Sequence, residues 1–365
     1  MSFRESCSAC VLPASPVVSL DESGRCLLCR SPETLKHLHG RPYEEELSRL
    51  IDGARESGTS APYDCLVGWS GGRDSTFLIN ELVRTHGLRC VAVFGKTPFT
   101  PIETVESVRS IAEDLGVDLI EIDTPSHHLE VARFCLKKFG ETGEPILINL
   151  ACASCKFVNR EVFRLADKLG VRTIIYGGQR YEYLPFGPAA IDIDAEDRFS
   201  FFNMVRDNIR RVFKGFQVIF RTPGLLKYLR IFFQASLLYL NPYTLFFRIR
   251  YPRITGFDYF FYADWNEAEV LEVLDELGWK LPSGCTTTWR ADCEFEAVKN
   301  TAFRERLGFT FSHALYSNLI RAGKMTREEA LARLEKEGTS EGRLSRALDA
   351  CGLGEAEVFG QGQQG

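Results

Sequence analysis

The chain alternates short apolar runs with longer amphipathic ones. DCLVGW (64–69), RCVAVF (89–94), VDLIEI (117–122) and VRTIIYGG (171–178) are dense in Val, Ile and Leu and predict strands. DSTFLINELVRTHG (74–87), PIETVESVRSIAEDLG (101–116) and FVNREVFRLADKLG (157–170) repeat their apolar positions at helical spacing and predict helices. A further amphipathic helix within 41–60 precedes the first strand and runs into a polar linker. Strands alternating with helices of this length predict an α/β fold with a parallel, helix-flanked sheet. In such sheets the ligand sits beyond the carboxyl ends of the strands.

The pattern breaks near residue 196. Residues 198–253 hold eleven Lys and Arg, one acid (Asp207) and fourteen Phe and Tyr. Within them IFFQASLLYLNPYTLFF (231–247) is uncharged, but Gln234, Asn241 and Pro242 interrupt it. A membrane-spanning helix takes about twenty apolar residues, so this run is too short and too interrupted for one. Three readings stay open: a helical subdomain whose aromatics form its own core or an oligomer interface, a peripheral contact with an anionic membrane, or a nucleic-acid surface. Beyond Asn266, NEAEVLEVLDELGW and TREEALARLEKEG open on Asn-x-x-Glu and Thr-x-x-Glu capping patterns and predict helices. The expected organisation is a cysteine-rich knuckle (1–40), an α/β domain (41–195), a basic aromatic insertion (196–262) and a mainly helical C-terminal region (263–365), with GQGQQG as a flexible end.

Composition adds less. With 365 residues, 45% hydrophobic and 25% charged, the chain is that of an ordinary globular protein. A net charge of −5 gives no global reason to expect nucleic acid. MSFRESCSAC carries no apolar run of signal type, which predicts a cytoplasmic protein, with any membrane contact at the inner face. In that reducing compartment twelve cysteines point to metal or catalysis rather than disulfides. Cys65 and Cys90 fall inside strand-like runs as small core residues, and Cys135 and Cys351 have no partner at useful spacing. Cys7-x-x-Cys10 and Cys26-x-x-Cys29, fifteen residues apart, have the spacing of a closed tetrahedral zinc site, hence a structural one. His127 and His128 have no further ligands near them in sequence and are expected as an exposed loop pair. Arg290 and Asp292 form either an ion pair facing the cleft or a solvated turn.

The chemistry concentrates in WSGGRDSTF (69–77). Gly71 and Gly72 reach backbone conformations closed to other residues and let their N–H groups approach an oxyanion. The helix that starts near Asp74 adds free N–H groups and its dipole. Ser70 and Ser75 supply hydroxyls, and Arg73 is a candidate positive charge. The turn suits a phosphate chain, although it is not the G-x-x-x-x-G-K-S/T loop.

Ser70-Gly71-Gly72-Arg73-Asp74-Ser75 resembles the signature of the PP-loop ATP pyrophosphatases. The resemblance implies a Rossmann-like adenine-nucleotide hydrolase fold. It also implies cleavage of ATP between its α- and β-phosphates, adenylation of a substrate oxygen, and displacement of AMP by nitrogen or sulfur. It puts pyrophosphate on the loop, Mg²⁺ near Asp74, adenine against Val93-Phe94-Gly95, and Gly177 and Gly178 on the other side. CSACVLPASPVVSLDESGRCLLC and SNLIRAGKMTREEAL are similar to segments of the N-acetyl sugar amidotransferases, a PP-loop group acting on bacterial surface polysaccharide. That likeness implies nitrogen transfer to a sugar, with ammonia from a separate glutaminase. ACASCK, followed by a helix and a glycine-ended strand, resembles the tRNA-thiolating PP-loop enzymes. This second likeness implies that Cys152, Cys155 and a third cysteine, Cys293 ahead of Cys285, hold an iron–sulfur cluster or carry sulfur to tRNA or a small molecule. A non-catalytic nucleotide-binding scaffold is the third expectation, opposed by the intact loop.

Overall fold

Four expected strands form and a fifth joins them. The structure, a computed structural model, describes residues 6–30, 43–182, 213–239, 245–337 and 341–360 together with Ile209. Strands β1 (Cys65–Trp69), β2 (Cys90–Lys96), β3 (Asp118–Asp123), β4 (Thr173–Tyr176) and β5 (Thr255–Asp258) make one sheet in the order β3-β2-β1-β4-β5. Every neighbouring pair is parallel. The helices are α1 (Glu44–Gly58), α2 (Arg73–Asn80), α3 (Ile102–Asp114), α4 (His128–Thr142), α5 (Ile146–Ala151), α6 (Phe157–Leu169), α7 (Leu229–Tyr239) and α8 (Leu245–Arg250). They continue with α9 (Glu267–Glu276), α10 (Phe295–Leu307), α11 (Phe311–Arg321), α12 (Arg327–Lys336), α13 (Glu341–Ala350) and α14 (Glu355–Phe359).

Both faces of the sheet are covered, which explains the unbroken apolar runs. Leu66, Val91, Val93 and Ile174 enter one core with α4–α7, α10 and α13. The alternate residues Cys65, Val67, Trp69, Ala92, Phe94 and Ile175 enter the other, with α1–α3, α9 and α11. Strand order reverses between β1 and its neighbours β2 and β4, so the β1–α2 turn opens at the switch point, where α/β sheets bind ligands.

Several expectations change. The fifth strand comes from the range assigned to the insertion, so the sheet extends past 195. Only four residues long and containing Gly256, β5 is too short to show a period. The helix after β1 ends at Asn80 and continues as a π-helical turn, Glu81–Thr85. His127 and His128 are not an exposed loop: His128 opens α4 and is fully buried. The capping patterns form as read, with Asn266 Oδ1 accepting from the Ala268 N–H at 3.0 Å and a reciprocal Thr326–Glu329 box opening α12. Residues 198–208, 210–212 and 240–244 of the basic stretch and the tail beyond 360 lie outside the described residues. Among the described residues no helix is long and apolar enough to cross a membrane.

Candidate active site and metal centre

The loop after β1 is a tight turn held by its own hydroxyls. Gly71 takes φ +81°, and a Cβ there would collide with Thr104. Ser70 Oγ accepts the Gly72 N–H at 3.2 Å and lies 3.1 Å from Ser75 Oγ. Ser75 and Thr76 donate to the Gly72 carbonyl at 3.0 and 2.9 Å, which turns that oxygen away from the loop mouth. The first residues of α2 then follow with the N–H groups of a free helix start.

All four tryptophans of the chain touch this turn or its neighbours. Trp69 Nε1 donates to Thr76 Oγ1 at 3.0 Å, Trp265 Nε1 to Asp74 Oδ1 at 3.0 Å, and Trp279 Nε1 to the Gly71 carbonyl at 3.0 Å. Trp289 stacks on Arg73, whose guanidinium carbon stands 3.2 Å from the ring centroid, with Trp265 at 5.1 Å. Arg73 is buried; its Nη1 donates to Glu267 Oε1 at 2.8 Å and Thr288 Oγ1 at 3.0 Å. Its Nε stands 3.5 Å from Asp74 Oδ1, and neither Nε nor Nη2 makes a hydrogen bond, so Arg73 ties the C-terminal region to α2 through Nη1 and its stacked face while two nitrogens stay unused beside the loop.

Acidic groups gather at the same end of the sheet. Asp74 faces Trp265, and Asp292 reaches within 3.3 Å of where a Gly72 Cβ would lie. Glu182 pairs with Arg290 at 2.9 Å; burial raises its carboxyl, Arg290 opposes that, and the Asp74 charge adds to it. Arg290 therefore pairs across the cleft with Glu182. It is the one non-glycine residue with positive φ among the described residues, at 51°. Asp258 accepts the Gly178 N–H at 3.2 Å, and burial pushes its carboxyl up to about 6. Gly177 has Ser75 Cα 3.0 Å from its missing Cβ, so it lets β4 approach the start of α2. Phe94 is fully buried with its ring 3.5 Å from the Gly71 Cβ position, so it underlies the loop, and the half-buried Gly95 follows it near the end of β2.

The second cysteine set centres on His128. Cys152 precedes the turn Ala153–Lys156, Cys155 lies within it, and Cys155 Sγ lies 3.7 Å from His128 Nε2. His128 is held by a 3.0 Å contact from Nδ1 to Thr124 Oγ1 and by the Phe99 ring, and burial lowers its pKa. Cys155 is lowered by its hydrogen bond from Cys152, and Cys152 is raised by the same bond and by burial. Cys293 follows Asp292 in the chain, and burial with the nearby Cys152 pushes it up to about 12. Burial acts to lower Lys299, but Cys152, Glu296 and Cys293 outweigh it and raise it. Cys285 instead contacts the Ala291 carbonyl at 4.0 Å. Cys65 and Cys90 are buried neighbours on β1 and β2, 3.5 Å apart. His128 is the member of the cluster that sequence reasoning missed. Its only signal was an apolar helix pattern beginning directly after it.

Among the described residues, Cys7, Cys10, Cys26 and Cys29 are the one group of three or more His, Cys, Asp or Glu whose ligand atoms all lie within 4.8 Å of one another. Tetrahedral zinc thiolates stand about 3.8 Å apart, and Cys10 and Cys26 sulfurs are 3.9 Å apart. The four sulfurs therefore fit one ion, whereas Cys152, Cys155 and Cys293 do not form a preset single-ion site. A divalent ion held by four thiolates would carry two net negative charges, and Arg321 is placed to answer them. Its Nε donates to Cys29 Sγ at 3.2 Å, and its Nη2 to Cys10 Sγ at 3.2 Å and Cys26 Sγ at 3.5 Å. Arg327 holds the Cys10 carbonyl at 3.1 Å, and Ser317 accepts the Val11 N–H at 3.3 Å. From Arg321 a polar chain runs to the loop. Nη1 donates to Asn318 Oδ1 at 2.8 Å, Asn318 Nδ2 to the Tyr181 carbonyl at 2.8 Å, and the Tyr181 ring packs on Trp265 at 5.7 Å.

No family model matches the chain. An uncharacterized protein of Methanocaldococcus jannaschii, MJ1599, is 22% identical over 334 residues, covering 90% of this chain and 93% of its own. Among solved structures, NMN synthetase from Francisella tularensis superposes with a TM-score of 0.38 at 14% identity, covering 86% of this chain and 98% of that one. The U34-tRNA thiolase NcsA from Methanococcus maripaludis, solved with its 4Fe-4S cluster, gives a TM-score of 0.34 at 12% identity, over 88% of this chain and 86% of that one. NH3-dependent NAD synthetase from Campylobacter jejuni gives 0.28 at 12% identity, over 55% and 97%. At identities this low and superpositions this partial, the functional reading rests on the geometry of the site itself.

Proposed function

We propose that the protein is an ATP-dependent, AMP-forming transferase that adenylates an oxygen of its acceptor and lets a nucleophile displace AMP. The observation that carries this reading is the Ser70–Ser75 loop at the sheet's switch point: it turns the Gly72 carbonyl inward and leads into a helix start. In this reading the pyrophosphate portion of ATP lies on the loop N–H groups. Asp74, with Glu182 or Asp292, would hold Mg²⁺, which would supply positive charge for the leaving pyrophosphate. Asp74 keeps its orientation through the Trp265 N–H. Replacing it by Asn preserves an acceptor oxygen and removes the charge. The Asp74→Asn variant is expected to stay folded and to lose pyrophosphate release by about a hundredfold or more. Undiminished release would end the assignment.

Sulfur is the transferred atom that this geometry favours. Cys155 Sγ lies 3.7 Å from His128 Nε2, and Cys293 follows Asp292, whose carboxylate comes within 3.3 Å of where a Gly72 Cβ would lie. Thiolates there would hold an iron–sulfur cluster or carry sulfur to the carbon that bears the adenylated oxygen of tRNA or a small molecule, with AMP leaving with that oxygen. A second reading, nitrogen transfer to an N-acetyl sugar, has its own support. The two segments similar to the sugar amidotransferases, around Cys7–Cys29 and Ser317–Leu331, pack into one unit through Arg321, Arg327 and Ser317. Metal analysis on protein purified without oxygen separates the two. Zinc with iron and acid-labile sulfide, lost in Cys152→Ser, supports sulfur transfer; zinc alone supports nitrogen transfer.

A further inference from the structure

The described part of the basic stretch presents apolar side chains to water in a way the rest of the chain does not. Phe213, Phe220, Phe233 and Ile249 are 64%, 63%, 55% and 70% exposed, with Leu226 and Ile209 also exposed. Phe213 and Phe220 stand two helical turns apart on the helix at 213–221, so they share a face. Phe216, between them, packs on Phe233 of α7 with ring centroids 6.5 Å apart, which joins the two helices into one apolar surface. The other side of α7 is committed to the fold: Phe232, Ala235 and Leu238 are buried, and the helix packs on the Ala153–Lys156 turn.

The charge carried by this stretch is basic. Arg221, Arg230, Arg248, Arg250 and Arg253 are exposed, no Asp or Glu occurs between residues 208 and 257, and Lys227 is paired with Glu130 of α4 at 3.5 Å. Exposed rings and branched aliphatics set among cations match the boundary of an anionic bilayer. There, apolar groups enter the acyl region and basic groups meet phosphate. A single-stranded nucleic acid is matched less well, because Ile249, Leu226 and Ile209 offer bases no stacking face. A spanning element is also the wrong form, since no described helix is long enough to cross.

We propose that residues 213–239 and 245–253 contribute an interfacial surface by which the protein docks peripherally on an anionic lipid bilayer. This does not depend on which atom the enzyme transfers. The test is co-sedimentation of the full-length protein with vesicles of phosphatidylcholine alone or mixed with phosphatidylglycerol. Binding is expected only to the mixed vesicles and is weakened by salt. Each basic group near such a surface contributes about fivefold to partitioning, so Arg230→Gln with Arg248→Gln should lower it about 25-fold. Phe213→Ser, Phe220→Ser and Ile249→Ser together should lower it at least about tenfold, with an unchanged melting temperature because all three side chains face water. Absence of vesicle binding overturns the proposal. So does binding of total tRNA that the same variants abolish while vesicles stay unbound, or a concentration-dependent dimer that the triple variant dissolves.

Discussion

Arg73 offers the most discriminating perturbation, because its position in the signature string suggests one role and its surroundings another. Replace it by Met, which keeps much of the volume between Trp265 and Trp289. Two contributions are lost. The desolvated cation over Trp289, at 3.2 Å, is worth about 2 kcal/mol. Breaking a buried ion pair costs roughly 3–5 kcal/mol when the partner is left alone. Here Glu267 keeps Arg333 at 2.8 Å, so only a fraction of that applies. The expected loss is about 3 kcal/mol, or roughly 5 °C in melting temperature. Because the four tryptophans surround the loop, tryptophan fluorescence follows the unfolding directly. ATP affinity measured on the folded variant should change less than about threefold, since Nη1 is held by Glu267 and Thr288, the guanidinium face by Trp289, and Nε leans on Asp74 at 3.5 Å rather than facing a phosphate. An unchanged melting temperature with a large loss of ATP affinity would refute the reasoning and return Arg73 to the phosphate site.

Gly71→Ala should cost about 2 kcal/mol or more in stability, from a left-handed φ of +81° and the collision with Thr104, and should also weaken ATP binding; a thermal melt and a nucleotide titration check both. Asp258 binds its proton more tightly folded (about 6) than unfolded (3.8), so its contribution is fullest below pH 4 and is lost as pH rises through 6. Asp258→Asn should therefore be more stable than the parent at pH 8, by at most about 3 kcal/mol, with the gap closing toward pH 4; a pH-independent difference in urea melts would exclude burial as the cause. Arg321→Met should release zinc to a chelator about tenfold faster than the parent, because two thiolate charges lose their cation, whereas Cys10→Ser should lower zinc content outright; full zinc occupancy in Cys10→Ser would remove the site.

Much of this protein was legible along the chain because the signals involved are local. A strand buried on both faces must be apolar at nearly every position, so β1, β2 and β4 stand out, while the half-exposed edge strand β3 shows through its Leu119-Ile120-Ile122 run. A turn that exposes N–H groups at a helix start needs glycine and small hydroxyls in sequence, so Ser70–Ser75 stands out too. Two Cys-x-x-Cys pairs at zinc spacing required only that two short loops face each other, and Asn266 and Thr326 capped their helices as their neighbours dictated. The strand order β3-β2-β1-β4-β5 and the membership of β5 were settled only by the folded chain. So were the turning of Arg73 onto Trp289, the burial of Phe94 beneath Gly71, and the meeting of His128 with Cys155. In each of these cases the deciding partner is distant in sequence: Thr288 lies 215 residues from Arg73, and Cys155 lies 27 from His128. Local pattern records whether a residue prefers core, turn or water. Which charge meets which ring is decided by packing both faces of one sheet, and that information is spread over the whole chain.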